Sequence, residues 1–271
     1  MFITSENITE FNAPARRIVS VVPSQTEFLH SLGLDQEVVG ITKFCIHPQE
    51  WFRSKTRVGG TKQLKIDQIR QLRPDLIIAN KEENQQEQIE LLAGEFPLYM
   101  SDIYSISDSI NAMRVMGQLT GRELEATGII DEVTSRFENF TPDLVNRRIL
   151  YLIWREPFMA AGSNTFINNM IEVCGWRNTL AGHRDWEGVD RYPQLTAQQI
   201  RESNPEVILL SSEPYPFKNK HISELQELCP NAKVVLVDGE LYSWYGSRLK
   251  FSTMHFFAVI ERIRYLCSIL K

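Results

Sequence analysis

Two parts of this chain repeat one another at a fixed distance, and this repeat limits the folds that the chain can adopt. Arg16-Arg17-Ile18-Val19 aligns with Arg147-Arg148-Ile149-Leu150 at an offset of 131 residues. The same offset aligns IDQIRQLRPDLIIANKEE with TAQQIRESNPEVILLSSEP and matches Glu82 to Glu213. In each copy a short helix is expected to end before a proline and an apolar strand to follow it. The repeat predicts two similar lobes.

The stretch between the two copies has the pattern of one long helix. Residues 121–140 read GRELEATGIIDEVTSRFENF, with apolar residues at Ile130, Val133, Phe137 and Phe140. A spacing of three and four residues places them on one helical face. Twenty residues at about 1.5 Å each give a rod of roughly 30 Å. We therefore expect an N-terminal lobe at 1–120, a connecting helix at 121–146 and a C-terminal lobe at 147–271.

Short apolar strands alternate with helical patterns in both lobes. The predicted strands are 17–22, 38–42, 75–79, 98–101, 148–153, 207–211 and 233–238. The predicted helices are 27–34, 66–72, 84–94, 107–119, 165–174, 196–203, 222–229 and 253–270. This alternation predicts an α/β fold with mainly parallel sheets. Ligands of such sheets bind at the carboxyl ends of strands, so the loops found there are the candidate sites.

Composition excludes several classes of function. The 271 residues carry 29 basic and 34 acidic side chains, a net charge of -5, which gives no basic footprint for nucleic acid. No run of 18 apolar residues predicts a membrane span. The first residues lack the basic start and apolar core of a secretory signal. Either a leader is missing from this chain or Met1 is the native start of a cytoplasmic protein.

The loops after the strands are rich in aromatic and acidic residues. Flat rings there suit a large, partly apolar ligand. The strongest candidate is the run from Trp244 to Arg248. The predicted ligand-binding residues are Pro23, Ser24, Phe44, Asn80, Glu82, Trp154, Arg155, Glu156, Glu213, Phe217, Trp244, Tyr245 and Arg248.

Simpler interpretations of these loop residues stay open. Glu82 and Glu83 also suit the start of a helix, and Arg155 with Glu156 suits a surface ion pair. Three aromatic residues could instead pack between the lobes: Trp154, Phe158 and Trp186.

Two further patterns concern charge and metal. Cys45 and His47 are candidate metal ligands, and Cys45 is a weaker candidate nucleophile. Four loop carboxylates would repel one another unless cations lie among them: Glu82, Glu156, Glu213 and Glu240. Either a metal or the side chains of Arg155, Arg248, His47 and His221 could supply that charge. No catalytic motif is present, so we expect neither an enzyme nor a catalytic cofactor.

The chain resembles the class III substrate-binding proteins of ABC importers, and among them the cobalamin-binding members. The matching pieces are RIVSVVPSQTE, VVGITKFCIHP, IRQLRPDLIIA, NMIEVCGWRN and IRESNPEVILL. The resemblance implies two Rossmann-like lobes joined by a single long backbone helix. It implies an interlobe cleft that holds cobalamin or another corrinoid, a ferric siderophore, haem or bare metal without catalysis.

The resemblance also assigns individual residues and partners. It places Pro23, Ser24, Phe44, Asn80, 154–157 and 244–248 in the cleft. It implies a disulfide between Cys174 and Cys267 and a permease contact near Gln86, where Glu83 and Glu87 supply carboxylates. We expect a monomer that binds a small metal chelate, in the periplasm or as a lipoprotein if a leader is missing. The alternative is a cytosolic metal-chelate handling protein or enzyme that uses Cys45, His47 and the loop glutamates.

Overall fold

The computed structural model describes residues 2–3, 7–8, 11, 14–181 and 191–268. The chain divides into two compact units. Unit 1 comprises Met1–Arg136 and Trp244–Lys250, and unit 2 comprises Phe137–Ser243 and Phe251–Lys271. This division differs from the expected boundaries at 120 and 147. Most of the connecting helix and a short segment near the C-terminus pack with unit 1.

Unit 1 is built on a parallel sheet in the order β1-β8-β7-β2-β3-β4, with an antiparallel β5-β6 pair beside it. Its strands are β1 (Phe2–Ile3), β2 (Ile18–Ser20), β3 (Val38–Ile41), β4 (Thr56–Arg57), β5 (Gly59–Gly60), β6 (Gln63–Leu64), β7 (Leu76–Asn80) and β8 (Leu98–Ser101). Its helices are α1 (Pro23–Ser31), α2 (Gln49–Ser54), α3 (Ile66–Leu72), α4 (Gln86–Glu95), α5 (Ile106–Thr120) and α6 (Glu123–Glu138). All of β2 and β7 is buried, as in a parallel sheet covered on both faces.

Unit 2 has a second sheet in the order β12-β10-β9-β13-β14, and β11 also pairs with β9. Its strands are β9 (Arg148–Trp154), β10 (Phe158–Ala160), β11 (Arg177–Asn178), β12 (Gln194–Leu195), β13 (Val207–Ser211) and β14 (Lys233–Val237). Its helices are α7 (Phe166–Val173), α8 (Ala197–Glu202), α9 (Asn219–Leu228), α10 (Glu240–Ser243) and α11 (Leu249–Ser268). β10 runs antiparallel to both neighbours, and the other pairs are parallel. The predicted α/β fold with mainly parallel sheets is confirmed.

The sequence repeat is also a structural repeat. The unit of α3 followed by β7 recurs as α8 followed by β13. The backbone N–H of Asp75 donates to the Arg17 carbonyl at 3.0 Å, and that of Glu206 donates to the Arg148 carbonyl at 2.9 Å. These two bonds join residues at the same offset of 131 in both copies. Each sheet therefore contains the strand of the same helix–proline–strand element.

A helix, α6, occupies most of the predicted connecting segment and is shorter than that segment. α5 ends at Gly121, whose φ of 64° closes the helix in the left-handed region. α6 then begins at Glu123 and buries Ala126, Ile130 and Val133. A Cβ on Gly117 of α5 would lie 2.7 Å from the Ala126 Cβ, so the two helices are in close contact. The start of α6 thus packs closely on α5 within unit 1.

Other differences concern where helices begin. The predicted helix at 27–34 begins at Pro23, because proline suits the first turn of a helix. Thr26 lies inside this helix, and its hydroxyl donates to the Val22 carbonyl at 2.8 Å. α2 forms where no helix was predicted, and α11 begins at Leu249 rather than at residue 253. No helix in the described part of the chain is both long and apolar enough to cross a membrane.

Candidate ligand-binding surfaces

In each sheet, the connections that follow two neighbouring central strands lead toward opposite edges of the sheet. In unit 1 these strands are β2 and β7, and in unit 2 they are β9 and β13. The carboxyl ends of such strands flank a crevice where α/β proteins bind ligands. We define surface 1 as residues 21–27, 42–47, 80–84 and 244–248, and surface 2 as residues 154–157, 212–217, 221–224 and 240–243.

Trp244 on surface 1 is held by charged and aromatic neighbours. The Arg248 guanidinium lies 4.9 Å from the centre of the Trp244 ring, and the His47 ring meets it edge-on at 5.6 Å. Two hydrogen bonds of 2.8 and 2.7 Å join Arg248 to both carboxylate oxygens of Glu27. The side chains of this pair are only 13% and 18% exposed. Such a bidentate pair fixes the guanidinium, and through it the indole ring.

The residues after Trp244 are also fixed to unit 1. Tyr245 is buried beside Ser24, and burial raises the pKa of its hydroxyl well above the ordinary value. Gly246 has a φ of 94°, a conformation that favours glycine. Its N–H donates to the Ser109 hydroxyl of α5 at 3.1 Å. A segment that is distant in sequence thus becomes part of the first sheet's binding edge.

Phe44 is the exposed aromatic side chain of surface 1. Its residue is 50% exposed, and Lys43 Nζ lies 5.0 Å from the ring centre. The ring lies over Gly60, where an added Cβ would come within 3.1 Å of it. Because residue 60 is a glycine, the Phe44 ring can occupy this solvent-exposed position.

Asn80 shapes the turn at the end of β7. Its side-chain oxygen accepts hydrogen bonds from the N–H groups of Glu82 and Glu83, at 2.9 and 3.1 Å. Its side-chain nitrogen donates to the Ser101 hydroxyl at 3.0 Å. Asn80 is 2% exposed, so these bonds engage its side chain within unit 1. The role of Asn80 is to present the two glutamates.

Surface 2 contains a cluster of aromatic rings that contact one another edge to face. Trp154 is 38% exposed and meets Tyr215 edge-on at 5.7 Å. Tyr215 in turn contacts Phe217 at 4.8 Å between ring centres, and its hydroxyl lies 3.4 Å from His221 Nε2. His221 Nδ1 accepts the Lys218 N–H at 2.9 Å. Rings packed in this way leave the Trp154 indole as an open platform.

Carboxylates neutralise the arginine of surface 2. Arg155 donates two hydrogen bonds to Glu224, at 2.9 and 3.2 Å, and a further one to Glu156. The bonds to Glu224 raise the pKa of Arg155 above its ordinary value. Burial lowers the pKa of His221, and the positive charges of Lys220 and Arg155 lower it further. His221 is therefore neutral near pH 7.

Glu213 is positioned by its neighbours in unit 2. The Ser243 hydroxyl donates to its carboxylate at 2.6 Å. A Cβ on Gly239 would lie 2.8 Å from Glu213 Cγ and 2.2 Å from the Ser211 hydroxyl oxygen. Glycine at 239 is what allows the turn to approach Glu213 this closely.

Comparison with known proteins places this fold and these surfaces in a family. The model of a family described as periplasmic binding protein matches residues 18–228. The chain belongs to the periplasmic binding protein family.

Relatives of this periplasmic binding protein carry informative names. An uncharacterized ABC transporter substrate-binding lipoprotein of Bacillus subtilis is 25% identical over 76% of this chain and 66% of its own length, slightly under two thirds. A vitamin B12-binding protein of Vibrio parahaemolyticus is 24% identical over 76% of this chain and 74% of its own length.

Solved structures share the fold. The vitamin B12 binding protein BtuF of Vibrio cholerae superposes with a TM-score of 0.72, at 19% identity over 93% of this chain and 98% of its own. The haem-binding protein BhuT, solved with two haems, gives 0.76 at 19% identity over 93% of this chain and 99% of its own. At these identities the likeness establishes the two-lobe α/β fold.

The predicted ligand-binding residues of this family member differ in exposure. Exposed residues are Phe44, Trp154 and Glu156. Partly exposed residues are Pro23, Glu82, Arg155, Glu213 and Arg248. Buried residues are Ser24, Asn80, Phe217, Trp244 and Tyr245. Asn80 is engaged in the turn, and Phe217 belongs to the apolar core with Leu210 and Leu225. Ligand contact by these residues stays a prediction.

The metal hypothesis for Cys45 and His47 gains no support. The Cys45 thiol is fully buried, 3.1 Å from the Thr26 hydroxyl and 3.2 Å from that of Thr42. Burial raises the pKa of this thiol, which disfavours the thiolate that a metal ligand or nucleophile requires. Within the described ranges, a group of three potential metal ligands occurs elsewhere, at His30, Asp35 and Glu50.

Two further sequence predictions concern Cys174 with Cys267 and Trp186. Both cysteines are free thiols in the structure, Cys174 buried and Cys267 within 3.8 Å of an Arg147 nitrogen. Their disulfide stays a prediction. Trp186 lies outside the described residues.

Sequence reasoning named Glu156 as a possible partner of Arg155, which the structure confirms, but it missed Glu224 and the Glu27 partner of Arg248. Glu27 and Arg248 are 221 residues apart, and Arg155 and Glu224 are 69 apart. Glu27 lies in a helix and Glu224 in another, where an isolated glutamate carries no distinguishing pattern. Only the folded chain shows that they neutralise the arginines of surfaces 1 and 2.

Proposed function

We propose that the protein is the solute-binding component of an ABC-type importer and holds cobalamin or another corrinoid without catalysis. The observation that carries this proposal is the clustering of aromatic side chains at the strand ends where ligands bind, in a member of a solute-binding family. The aromatic residues concerned are Phe44, Trp154, Tyr215, Trp244 and Tyr245.

The chemistry of the two surfaces suits a large flat ligand. Phe44 and Trp154 expose aromatic faces, which supply contact area at little cost in side-chain entropy. The nearby residues Trp244 and Tyr245 are buried and hold their loop in place. A binding edge that is preformed loses less entropy when the ligand arrives. Relatives named as vitamin B12-binding proteins support the corrinoid over other metal chelates.

Titration of the purified protein tests this function. We expect cyanocobalamin to bind with a Kd below roughly 10 µM, a free energy of about -7 kcal/mol. Quenching of tryptophan fluorescence and isothermal calorimetry measure it, with haemin and a ferric hydroxamate siderophore as competing ligands. If only haemin or only the siderophore binds tightly, that chelate takes the place of the corrinoid as the proposed ligand. Failure of all three to bind would contradict the function.

Phe44→Ala tests whether surface 1 contributes. We expect cyanocobalamin affinity to fall about tenfold, because an exposed ring that packs on a ligand is a typical hot spot. Tyr265→Ala is the matched control, since Tyr265 on α11 is also exposed, at 66%. The same loss in both variants would show that the binding edge lies elsewhere.

The partner and compartment follow from the same proposal. An ABC permease would receive the ligand, and the exposed first turn of α4, with Gln86 and Glu87, is our proposed contact. The relative named as an ABC transporter substrate-binding lipoprotein supports a location outside the cytoplasm.

A further inference from the structure

The arginines of the two candidate surfaces are already bound by carboxylates. Arg248 makes a bidentate pair with Glu27, and Arg155 makes one with Glu224 and a further bond with Glu156. A guanidinium is the side chain best suited to bind a ligand carboxylate with two parallel hydrogen bonds. Neither guanidinium can bind a ligand carboxylate in this way unless its hydrogen bonds to glutamate break first.

The lysines near surface 1 are engaged in other ways. Lys81 Nζ lies 2.9 Å from an Asp102 carboxylate oxygen. Lys43 Nζ lies over the Phe44 ring at 5.0 Å from its centre. A lysine is a strongly hydrated point charge and discriminates less between anions than an arginine fork does.

Both surfaces also carry carboxylates, and the residues of surface 2 include four glutamates and one arginine. Glu156 is 75% exposed in its side chain and follows Trp154 by two positions. On surface 1, burial raises the pKa of the Tyr245 hydroxyl, and the nearby charges of Glu83 and Glu82 raise it further. Ionised carboxylates only accept hydrogen bonds, so they complement a ligand that donates them. A ligand that carries its own carboxylates meets charge of the same sign.

We infer that these surfaces select a metal macrocycle whose rim carries neutral amides and reject one whose rim carries free carboxylates. This inference rests on the proposed function and specifies its ligand class. The amide N–H groups of a corrinoid rim donate to the loop glutamates. The propionates of a haem suit a guanidinium fork, and the arginines of both surfaces are already paired with glutamates. The acidic loops are then a determinant of specificity.

A matched pair of ligands tests the inference in the unmodified protein. Mild acid hydrolysis converts single rim amides of cyanocobalamin into carboxylic acids and leaves the corrin ring unchanged. We expect the monocarboxylic acids, averaged over their isomers, to bind at least about tenfold more weakly than cyanocobalamin at low ionic strength. The difference should narrow in 0.5 M NaCl, because salt screens charges that are partly exposed.

Glu224→Gln sharpens the test because it frees Arg155 from its main partner. We expect this variant to recover about tenfold in affinity for the monocarboxylic acids relative to cyanocobalamin. Glu95→Gln is the matched control, since Glu95 also makes a bidentate pair, with Arg70 at 2.8 and 2.6 Å. Glu95 ends α4, at the opposite edge of the sheet from the strand carboxyl ends. The affinity of Glu95→Gln for the monocarboxylic acids relative to cyanocobalamin should therefore stay at the wild-type value.

The outcomes separate the inference from the function on which it rests. Equal affinity for cyanocobalamin and its monocarboxylic acids overturns the inference and leaves corrinoid binding in place. The same holds if the affinity for the acids relative to cyanocobalamin is equal in Glu224→Gln and Glu95→Gln. Absence of binding by cyanocobalamin, its acids and haemin overturns the proposed function itself.

Discussion

Surfaces 1 and 2 carry similar aromatic residues but hold them in different ways. Trp244 on surface 1 is 8% exposed and lies between Arg248 and His47. Trp154 on surface 2 is 38% exposed and contacts Tyr215 at its edge. Trp244 is a buried part of unit 1, whereas Trp154 exposes part of its ring to solvent. At the offset of 131, Trp154 aligns with Pro23, so the loops after the first aligned strands differ between the two copies while the helix–proline–strand elements agree.

The C-terminal part of the chain is held in each unit by an arginine and a carboxylate. In unit 1 Arg248 binds Glu27. In unit 2 Arg264 of α11 lies 3.1 Å from Asp143, whose side chain is fully buried and also accepts hydrogen bonds from Arg147 and Trp176. In unit 1 this ion pair belongs to surface 1, whereas in unit 2 the corresponding pair lies outside surface 2.

The largest expected effect distinguishes the two tryptophans. Trp244→Ala should lower the free energy of unfolding by about 3 kcal/mol or more, because it empties a buried site. Trp154→Ala should change it by less than about 1 kcal/mol, since the residue is partly exposed. Both variants should weaken cyanocobalamin binding. Urea unfolding and fluorescence titration measure the two quantities.

Equal loss of stability in these two variants would remove the distinction between a structural and a platform tryptophan. Trp51→Ala is a useful reference, because Trp51 is 2% exposed and lies outside both surfaces. It should cost stability without weakening binding by the refolded protein.

An intermediate effect is expected at Asp143. Burial alone would raise the pKa of this carboxyl, but hydrogen bonds from Trp176, Arg264 and Arg147 outweigh it and lower the pKa. A lowered folded pKa contributes stability that is present above the unfolded value of about 4 and is lost as the pH falls through the folded value. Asp143→Asn should therefore cost about 2 kcal/mol at pH 7.

The test for Asp143 is the pH dependence of that cost. Thermal unfolding of the wild type and the variant between pH 3 and pH 7 should show a difference that shrinks below about pH 4. A difference that is constant across this range would mean that the carboxylate charge contributes nothing.

The smallest effect concerns the repeat itself. Arg73 and Asn204 occupy equivalent positions, and both have a φ of 46°. Glycine adopts this conformation without strain, and asparagine tolerates it better than arginine does. Arg73→Gly should raise the free energy of unfolding by about 0.5 kcal/mol, and Asn204→Gly should leave it nearly unchanged. Urea midpoints compare the two, and a larger gain at Asn204 would contradict this account.

The fold was largely predictable because it depends on local patterns. The repeat at an offset of 131 predicted both helix–proline–strand elements, and apolar runs predicted the central strands β7, β9 and β13. Helix starts were less predictable. Pro23 and Gln49 begin helices in stretches with many turn-forming residues, where packing overrides local preference.

The sequence by itself determined the α/β class and the strand ends at which aromatic and acidic residues collect, because these follow from periodicity and spacing along the chain. Its motifs carried the resemblance to the family that the comparison with known proteins then showed. Only the tertiary structure decided which of those residues face solvent. It buried Asn80 and Phe217, exposed Phe44 and Trp154, and paired Arg248 with Glu27. Burial and ion pairing depend on contacts between residues far apart in the chain, and no local pattern encodes them.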